Sequence, residues 1–188
     1  MDQPVLESAR LRLRPFELCD AARVRELAGD ERIADVTAHI PHPYPDGAAE
    51  RWIATHRNSW ERGTGMIYAM MLTDGPLIGV VSITDISNST GELGYWVGVP
   101  YWGHGYCTEA VRALASFSAE FETLARLQAR HLTRNPASGR VLLKAGFNHC
   151  GRAVTACGYR QKNEPVEIYE RRVHNHALQP TAPKRHGG

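Results

Sequence analysis

The stretch that most limits what this chain can fold into runs from Glu92 to Phe121. An alternating apolar segment, Glu92 to Val99, passes through Pro100 and Trp102-Gly103-His104-Gly105 straight into the stripe Ala110, Val111, Leu114, Phe117 and Phe121. Period-two alternation marks a strand, and the helical spacing behind it marks a helix packed on one face. A strand that turns through glycines directly into a helix aims the helix's first N–H groups at one point, and that point attracts phosphate. Glycine lets the backbone approach the anion where a side chain would intervene. A Walker loop is excluded because no Lys follows Gly105, and a dinucleotide fingerprint because Thr108 stands where its third small residue belongs. A tight turn without a ligand is the plain alternative.

The rest of the chain supplies an α/β (α+β) frame for this turn. Its 188 residues favour one domain on a prior of roughly 150 residues per domain. With 43% hydrophobic and 22% charged residues, the composition is that of a globular protein. Arg10-Leu11-Arg12-Leu13-Arg14 alternates as a half-buried strand, and Asp20 is placed to cap a helix bearing Ala21, Val24, Leu27 and Ala28 that Gly29 ends. A second helix is expected from Asp46, carrying Trp52, Ile53, His56 and Trp60 and closed by Gly63 and Gly65. Met66 to Leu72, Leu77 to Thr84 and Glu92 to Val99 read as a three-stranded meander joined by turn residues. Leu127 to Thr133 reads as a strand, and Asn135-Pro136 opens a helix ending at Gly146. Phe147 to Val154 and Val166 to Val173 close the frame, so the domain spans residues 1–174 and 175–188 is expected to be a disordered tail.

Several function classes fall away. A formal net charge of +2 gives no case for a nucleic-acid binder. No apolar run approaches the roughly 20 residues that cross a bilayer, and Asp2 stands where a signal peptide would be basic, so no membrane partner and a cytoplasmic location are expected. Cys19, Cys107, Cys150 and Cys157 form no CxxC pair and read as reduced thiols. The pairs His39/His42 and His174/His176 have no carboxylate or thiol partner nearby, so no metal is expected.

The segment from Glu92-Leu93-Gly94-Tyr95-Trp96-Val97-Gly98-Val99 through Trp102-Gly103-His104-Gly105-Tyr106-Cys107-Thr108-Glu109-Ala110 resembles the acetyl-CoA motif of GCN5-related N-acetyltransferases (GNAT). Within that superfamily it is similar to the ribosomal-protein N-terminal acetyltransferases of the RimJ/RimL type. Asn135-Pro136-Ala137-Ser138 through Lys144-Ala145-Gly146-Phe147 resembles that branch's Asn-x-x-Ser helix followed by Gly-Phe, and the initial Leu-Arg-Leu-Arg-Pro-Phe extends the likeness over about residues 8–172. The resemblance implies a GNAT fold: a mixed central sheet of about six or seven strands, helices on both faces, and a splay between two central parallel strands, here Glu92 to Val99 and Leu127 to Thr133. It implies acetyl-CoA as co-substrate, with its pyrophosphate on the amides of Gly103, His104, Gly105, Tyr106, Cys107 and Thr108 after Trp102. Its pantetheine arm would run along Trp96, Val97, Gly98 and Val99, and an unpaired amide near Val97 would polarise the acetyl carbonyl. Asn135 would touch the pantetheine, although its role as an N-cap is sufficient by itself. Cys107 replaces a Gly or Ala of the family pattern, and Leu143 lies where many relatives outside this branch carry a Tyr acid.

An amine attacking a thioester must be neutral, must lose a proton from the adduct, and needs a donor for the oxyanion. Glu92 is the first candidate base, by likeness to the branch and through water; a solvated strand-end carboxylate is the alternative. Ser138 is the candidate donor to the departing sulfur, or else a plain helix-start serine. A thiol pKa near 8.5 makes thiolate departure cheap, so a weak donor suffices. The segment Thr37 to Pro45 and the helix bearing Trp52 and Trp60 would flank the acceptor, a protein N-terminal α-amine or a small amine. The expected function is transfer of an acetyl group to a primary amine by a monomer or homodimer. The alternative is a non-catalytic acyl-CoA-binding or sensor module.

Overall fold

The computed structural model describes residues 2–157 and 162–173, so the expected tail, the domain end at 174 and the His174/His176 pair lie outside the described residues. Its strands are β1 (Leu6–Glu7), β2 (Leu11–Arg14), β3 (Met66–Leu72), β4 (Leu77–Ser87), β5 (Thr90–Val97), β6 (Arg126–Leu132), β7 (Asn148–Cys157) and β8 (Lys162–Arg172). They form one eight-stranded sheet in the order β1-β2-β3-β4-β5-β6-β8-β7. The extra strand over the expected six or seven is β1, whose two residues are too short to show a period. Every described neighbouring pair is antiparallel except β5 and β6.

Six helices cover the two faces: α1 (Ala21–Ala28), α2 (Glu31–Val36), α3 (Ala48–Ala54), α4 (His56–Glu61), α5 (Tyr106–Phe117) and α6 (Pro136–Lys144). The α5 stripe of Ala110, Val111, Leu114 and Ala115 is buried with Leu11, Leu13, Tyr68, Val81, Ile83, Leu93 and Val97 of the sheet. On the other face, Ala21, Val24 and Ala28 of α1 pack with Ala49 and Ile53 of α3. Burial of such a stripe stabilises by about 1.5–3 kcal/mol per large aliphatic side chain.

One element carries no clear sequence signal and two local expectations are corrected. Helix α2 is started by Asp30, whose carboxylate accepts from the Arg32 amide at 3.0 Å; the surrounding Pro and His residues hid it. The helix expected from Asp46 starts instead behind Gly47, in the left-handed region at φ 70°, and is two helices meeting at Thr55. Asp20 stands at the N-cap of α1 without capping it, because its carboxylate accepts two bonds of 2.7 Å from Arg14. Burial opposes its ionisation, and the Arg14 and Glu17 hydrogen bonds overcome it, so its pKa is lowered.

What positions the site is the length of the one parallel ladder. Strands β5 and β6 pair only at Thr90↔Arg126, Gly91↔Leu127 and Glu92↔Gln128. Beyond that point β5 stays with β4 as far as Val97↔Gly79, and β6 stays with β8 as far as Leu132↔Val166. The two central strands therefore part after Glu92, as the resemblance implies. The Gly98 amide donates to Ile78 O at 2.8 Å. In an antiparallel pair successive residues turn their main-chain groups to opposite sides. Those of Gly98 and Trp96 consequently face β4, and those of Tyr95 and Val97 face the gap.

Helix α6 lies close over the gap because Gly139 has no side chain. A Cβ there would stand 2.6 Å from His131 Nε2 and 3.0 Å from Tyr169 Oη. His131 cannot swing aside: it is buried, and its Nδ1 is 2.8 Å from Leu132 O. Ala favours a helix over Gly by about 1 kcal/mol, while overpacking costs about 1–3 kcal/mol, so the clash prevails. Gly139→Ala should lower Tm by a few degrees in a thermal melt; an unchanged or raised Tm would show that α6 is not seated on His131.

Candidate active site

The turn is built from two left-handed residues, Gly103 at φ 80° and Gly105 at φ 81°, a region costly for any residue with a Cβ. Gly105 is the N-cap of α5, and no side chain caps that helix. The amides of Tyr106, Cys107 and Thr108 are thus first-turn donors with no partner inside the helix. Trp102 closes the turn over β5 by donating its indole N–H to Val97 O at 2.9 Å. With that carbonyl occupied, the Val97 N–H and the main-chain groups of Tyr95 are left facing the gap.

Arg10, from the residues leading into β2, holds the turn from outside. Its amide and Nε donate to Glu109 at 2.7 and 2.8 Å, its Nη1 donates to His104 O at 3.1 Å, and its guanidinium lies 4.8 Å from the centre of the Tyr106 ring. Ser8 Oγ adds a 2.9 Å bond to Glu109. Burial pushes the Glu109 pKa up, but the bonds from Arg10 and Ser8 outweigh it and leave the pKa lowered. The first turn of α5 thereby carries an ionised acid at the favourable end of the helix.

A groove of about 480 Å³ runs from this turn to α6. Of the expected cofactor residues, Trp96, Val97, Trp102, Gly103, Gly105, Tyr106, Cys107, Thr108, Asn135 and Ser138 line it. Gly98, Val99 and His104 are not among its lining residues. The Gly98 amide is spent on Ile78 O, and a Cβ on Gly98 would stand 2.6 Å from Leu27 Cδ2. Val99 belongs to a 3-10 turn, Val99–Tyr101, and its carbonyl accepts from the Trp102 amide at 3.2 Å. His104 is exposed, stacked on Tyr106 at 5.6 Å, with Nδ1 2.8 Å from Trp102 O.

Asn135 occupies the N-cap of α6 with its backbone N–H bonded to Leu132 O at 2.8 Å, but its side-chain amide makes no capping bond and is left to the groove. The Cys107 thiol also faces the groove. Burial raises its pKa to about 12, which keeps it protonated and a poor competitor for an acyl group. Leu143 is exposed on α6 and supplies no acid.

Glu92 occupies the last paired position before the gap and is not among the groove's lining residues. By strand alternation it shares the α1 face with Trp96, while Leu93, Tyr95 and Val97 point toward α5 and α6. Its carboxylate accepts from Arg130 Nη2 at 2.8 Å. The two candidate catalytic residues thus stand on opposite faces of the sheet, Glu92 at the closed end of the gap and Ser138 on α6.

Around the expected acceptor side, Thr37 lines the groove together with Ile33 and Val36 of α2. Trp52 packs in a cluster with Phe16 at 5.1 Å and His56 at 4.3 Å. Burial lowers the His56 pKa to about 4, so this cluster is uncharged. Trp60 turns the other way and packs on Phe117 and Phe121. Among the described residues no group of three or more His, Cys, Asp or Glu is arranged to hold a metal, and no helix is long and apolar enough to cross a membrane.

Sequence reasoning missed Tyr95, which lines the groove and reaches α6, where its Oη lies 2.9 Å from Ser138 O and 2.8 Å from Ser138 Oγ. Placing it on the same strand face as Leu93 and Val97 could have found it. Arg10, Arg140 and Lys144 were also missed; a basic side chain carries no signal until the fold brings it to the turn, as with Arg10, or to the groove, as with Arg140 and Lys144.

A mixed sheet whose one parallel pair parts beside a glycine-turned helix start defines an acyltransferase of the acetyl-CoA-dependent class. Residues 10–148 match the acetyltransferase (GNAT) domain family, and the chain belongs to that family. It is 34% identical over 113 residues to the ribosomal-protein-serine acetyltransferase of Escherichia coli (strain K12), a match covering 59% of this chain and 63% of that protein's length. Its fold is shared with a RimL ribosomal alpha-N-protein acetyltransferase in complex with coenzyme A, at TM-score 0.81 and 18% identity, covering 90% of this chain and 98% of that one. It is shared too with the microcin C7 self-immunity acetyltransferase MccE in complex with acetyl-CoA and AMP, at TM-score 0.78 and 20% identity, covering 88% and 93%.

Arg10 braces the turn rather than lining the groove. Arg10→Ala should raise the Kd for CoA by about twofold to fivefold in calorimetry, the size of one partly exposed charge interaction. An unchanged Kd would show that the turn holds its shape without the guanidinium.

Proposed function

We propose that this chain moves the acetyl group of acetyl-CoA to an α-amine, in the first instance the N-terminus of a protein, by direct attack in the gap between β5 and β6. The observation that carries this reading is the gap itself, with the Val97 N–H facing into it and the Gly103–Gly105 turn at its mouth. The turn amides hold the pyrophosphate, and the Asn135 amide and the free edge of β5 hold the pantetheine arm as a neighbouring strand would. The Val97 N–H donates to the thioester oxygen; a single such oxyanion donor is worth about 2.7–4 kcal/mol. No covalent enzyme intermediate is needed, because CoA brings the acyl group already activated.

The acceptor approaches from the α1 face, where Glu92 takes the proton through water. Neutralising a Lys side chain at pH 7 costs about 4–5 kcal/mol, against about 1–1.5 kcal/mol for an α-amine. The lower cost favours the α-amine as the acceptor at a site whose one carboxylate is part-exposed and engaged with Arg130. The names of the Escherichia coli relative and of RimL support a ribosomal-protein N-terminus as the acceptor. MccE, solved with AMP beside acetyl-CoA, supports a small amine as the second reading.

Peptides with a free N-terminal Ser or Ala, incubated with acetyl-CoA, should gain one acetyl group at the α-amine by mass spectrometry. The same peptides with a blocked terminus and an internal Lys should gain none. Glu92→Gln should lower kcat tenfold or more with the Kd for CoA kept. Saturable CoA binding without turnover on any peptide or small amine would favour the sensor module instead.

A further inference from the structure

The contact between Tyr95 and Ser138 joins the two sides of the gap. Tyr95 belongs to β5, which stays with β4, whereas α6 follows β6 and sits over His131 and Tyr169. The phenol oxygen lies 2.9 Å from Ser138 O and 2.8 Å from Ser138 Oγ. A carbonyl only accepts, so the Tyr95 hydrogen rests on Ser138 O, and the Ser138 hydroxyl hydrogen is shared between Tyr95 Oη and the groove that both residues line. The titratable groups that face Tyr95 from the packed elements are the Cys107 thiol of α5, which burial keeps protonated, and the Tyr169 phenol of β8. No other bond to Ser138 Oγ is seen among the described residues.

We infer that Tyr95 is a positioning residue for the leaving sulfur: its phenol holds the Ser138 hydroxyl so that the Ser138 hydrogen is presented to the departing CoA thiolate. This rests on the acetyl-transfer reading above. The C–N bond forms with the amine's electron pair, and the C–S bond breaks with its pair left on sulfur. The ammonium proton leaves toward Glu92 through water, and the thiolate takes its own proton from solvent after release. Burial holds the Tyr95 phenol above its ordinary value of about 10. Transfer of its proton to a thiolate whose thiol titrates near 8.5 is uphill, so Tyr95 gives a hydrogen bond and not a proton. As charge grows on sulfur, the Tyr95 hydrogen turns from Ser138 O to Ser138 Oγ, both already within reach. A hydroxyl that accepts one bond donates the next more strongly.

The test is the titration of the CoA thiol while bound, which needs no acceptor. Thiolate absorbance of the CoA complex is followed against pH, with the desulfo-CoA complex subtracted to remove the protein's own thiols. The bound thiol should titrate about one unit below its value in free CoA measured under the same conditions, about a tenfold gain in thiolate at pH values well below both. Tyr95→Phe and Ser138→Ala should each return it to the free value, and Ser138→Thr should keep the shift. A bound thiol titrating where the free thiol does, or a Tyr95→Phe complex identical to the parent, overturns the inference. Ser138→Ala carries the same comparison if Tyr95→Phe does not fold. Saturation by desulfo-CoA with an unshifted thiol removes only the role of Tyr95, while no saturation by either ligand contradicts the acetyl-CoA reading itself.

Discussion

The parallel ladder between β5 and β6 stops after Glu92↔Gln128, and the rest of the site depends on that early stop. A strand edge left without a partner in the middle of a sheet carries main-chain groups that need one. Here β5 is anchored on its other side by β4 up to Gly79↔Val97, so its free edge is rigid and its register is set. A ligand with its own amides, such as a pantetheine arm, can complete the edge as a strand would. The position of the stop also fixes the extent of the gap, with Glu92 at its closed end and Val97 at its open one.

The elements around the gap keep it open and point its donors inward. Trp102 takes up the Val97 carbonyl, and the Val97 N–H stays facing the gap. Arg10 ties the turn to the start of β2 through Glu109 and His104 O, so the glycines have freedom of φ without freedom of position. Gly139 allows α6 to settle on His131 and Tyr169, bringing Ser138 within reach of Tyr95 from across the gap.

Much of this was legible from the residues. The turn at Gly103 and Gly105, the amphipathic helix behind it and the order of the long strands follow from period and turn chemistry. What was hidden depends on distant contacts. Asp20 and Asn135 look like helix caps, but neither side chain caps its helix: Asp20 answers to Arg14, and Asn135 is left facing the groove. The pantetheine partners were expected over Trp96 to Val99, yet strand alternation turns the main-chain groups of Tyr95 and Val97 to the gap and spends the Gly98 amide on Ile78. Trp60 shares helical spacing with Trp52 but belongs to the opposite face, since the helix breaks at Thr55 between them. Sequence pattern reports periods along one element; it does not report which neighbour uses a given polar atom.

Residue-resolved amide hydrogen exchange, with and without acetyl-CoA, reads the free edge itself. The Val97 amide should exchange quickly in the ligand-free protein and slow by tenfold or more on saturation, while the Gly98 amide, already bonded to Ile78 O, should be protected in both states. Saturable binding that leaves Val97 exchange unchanged would mean that the thioester does not lie between the parted strands.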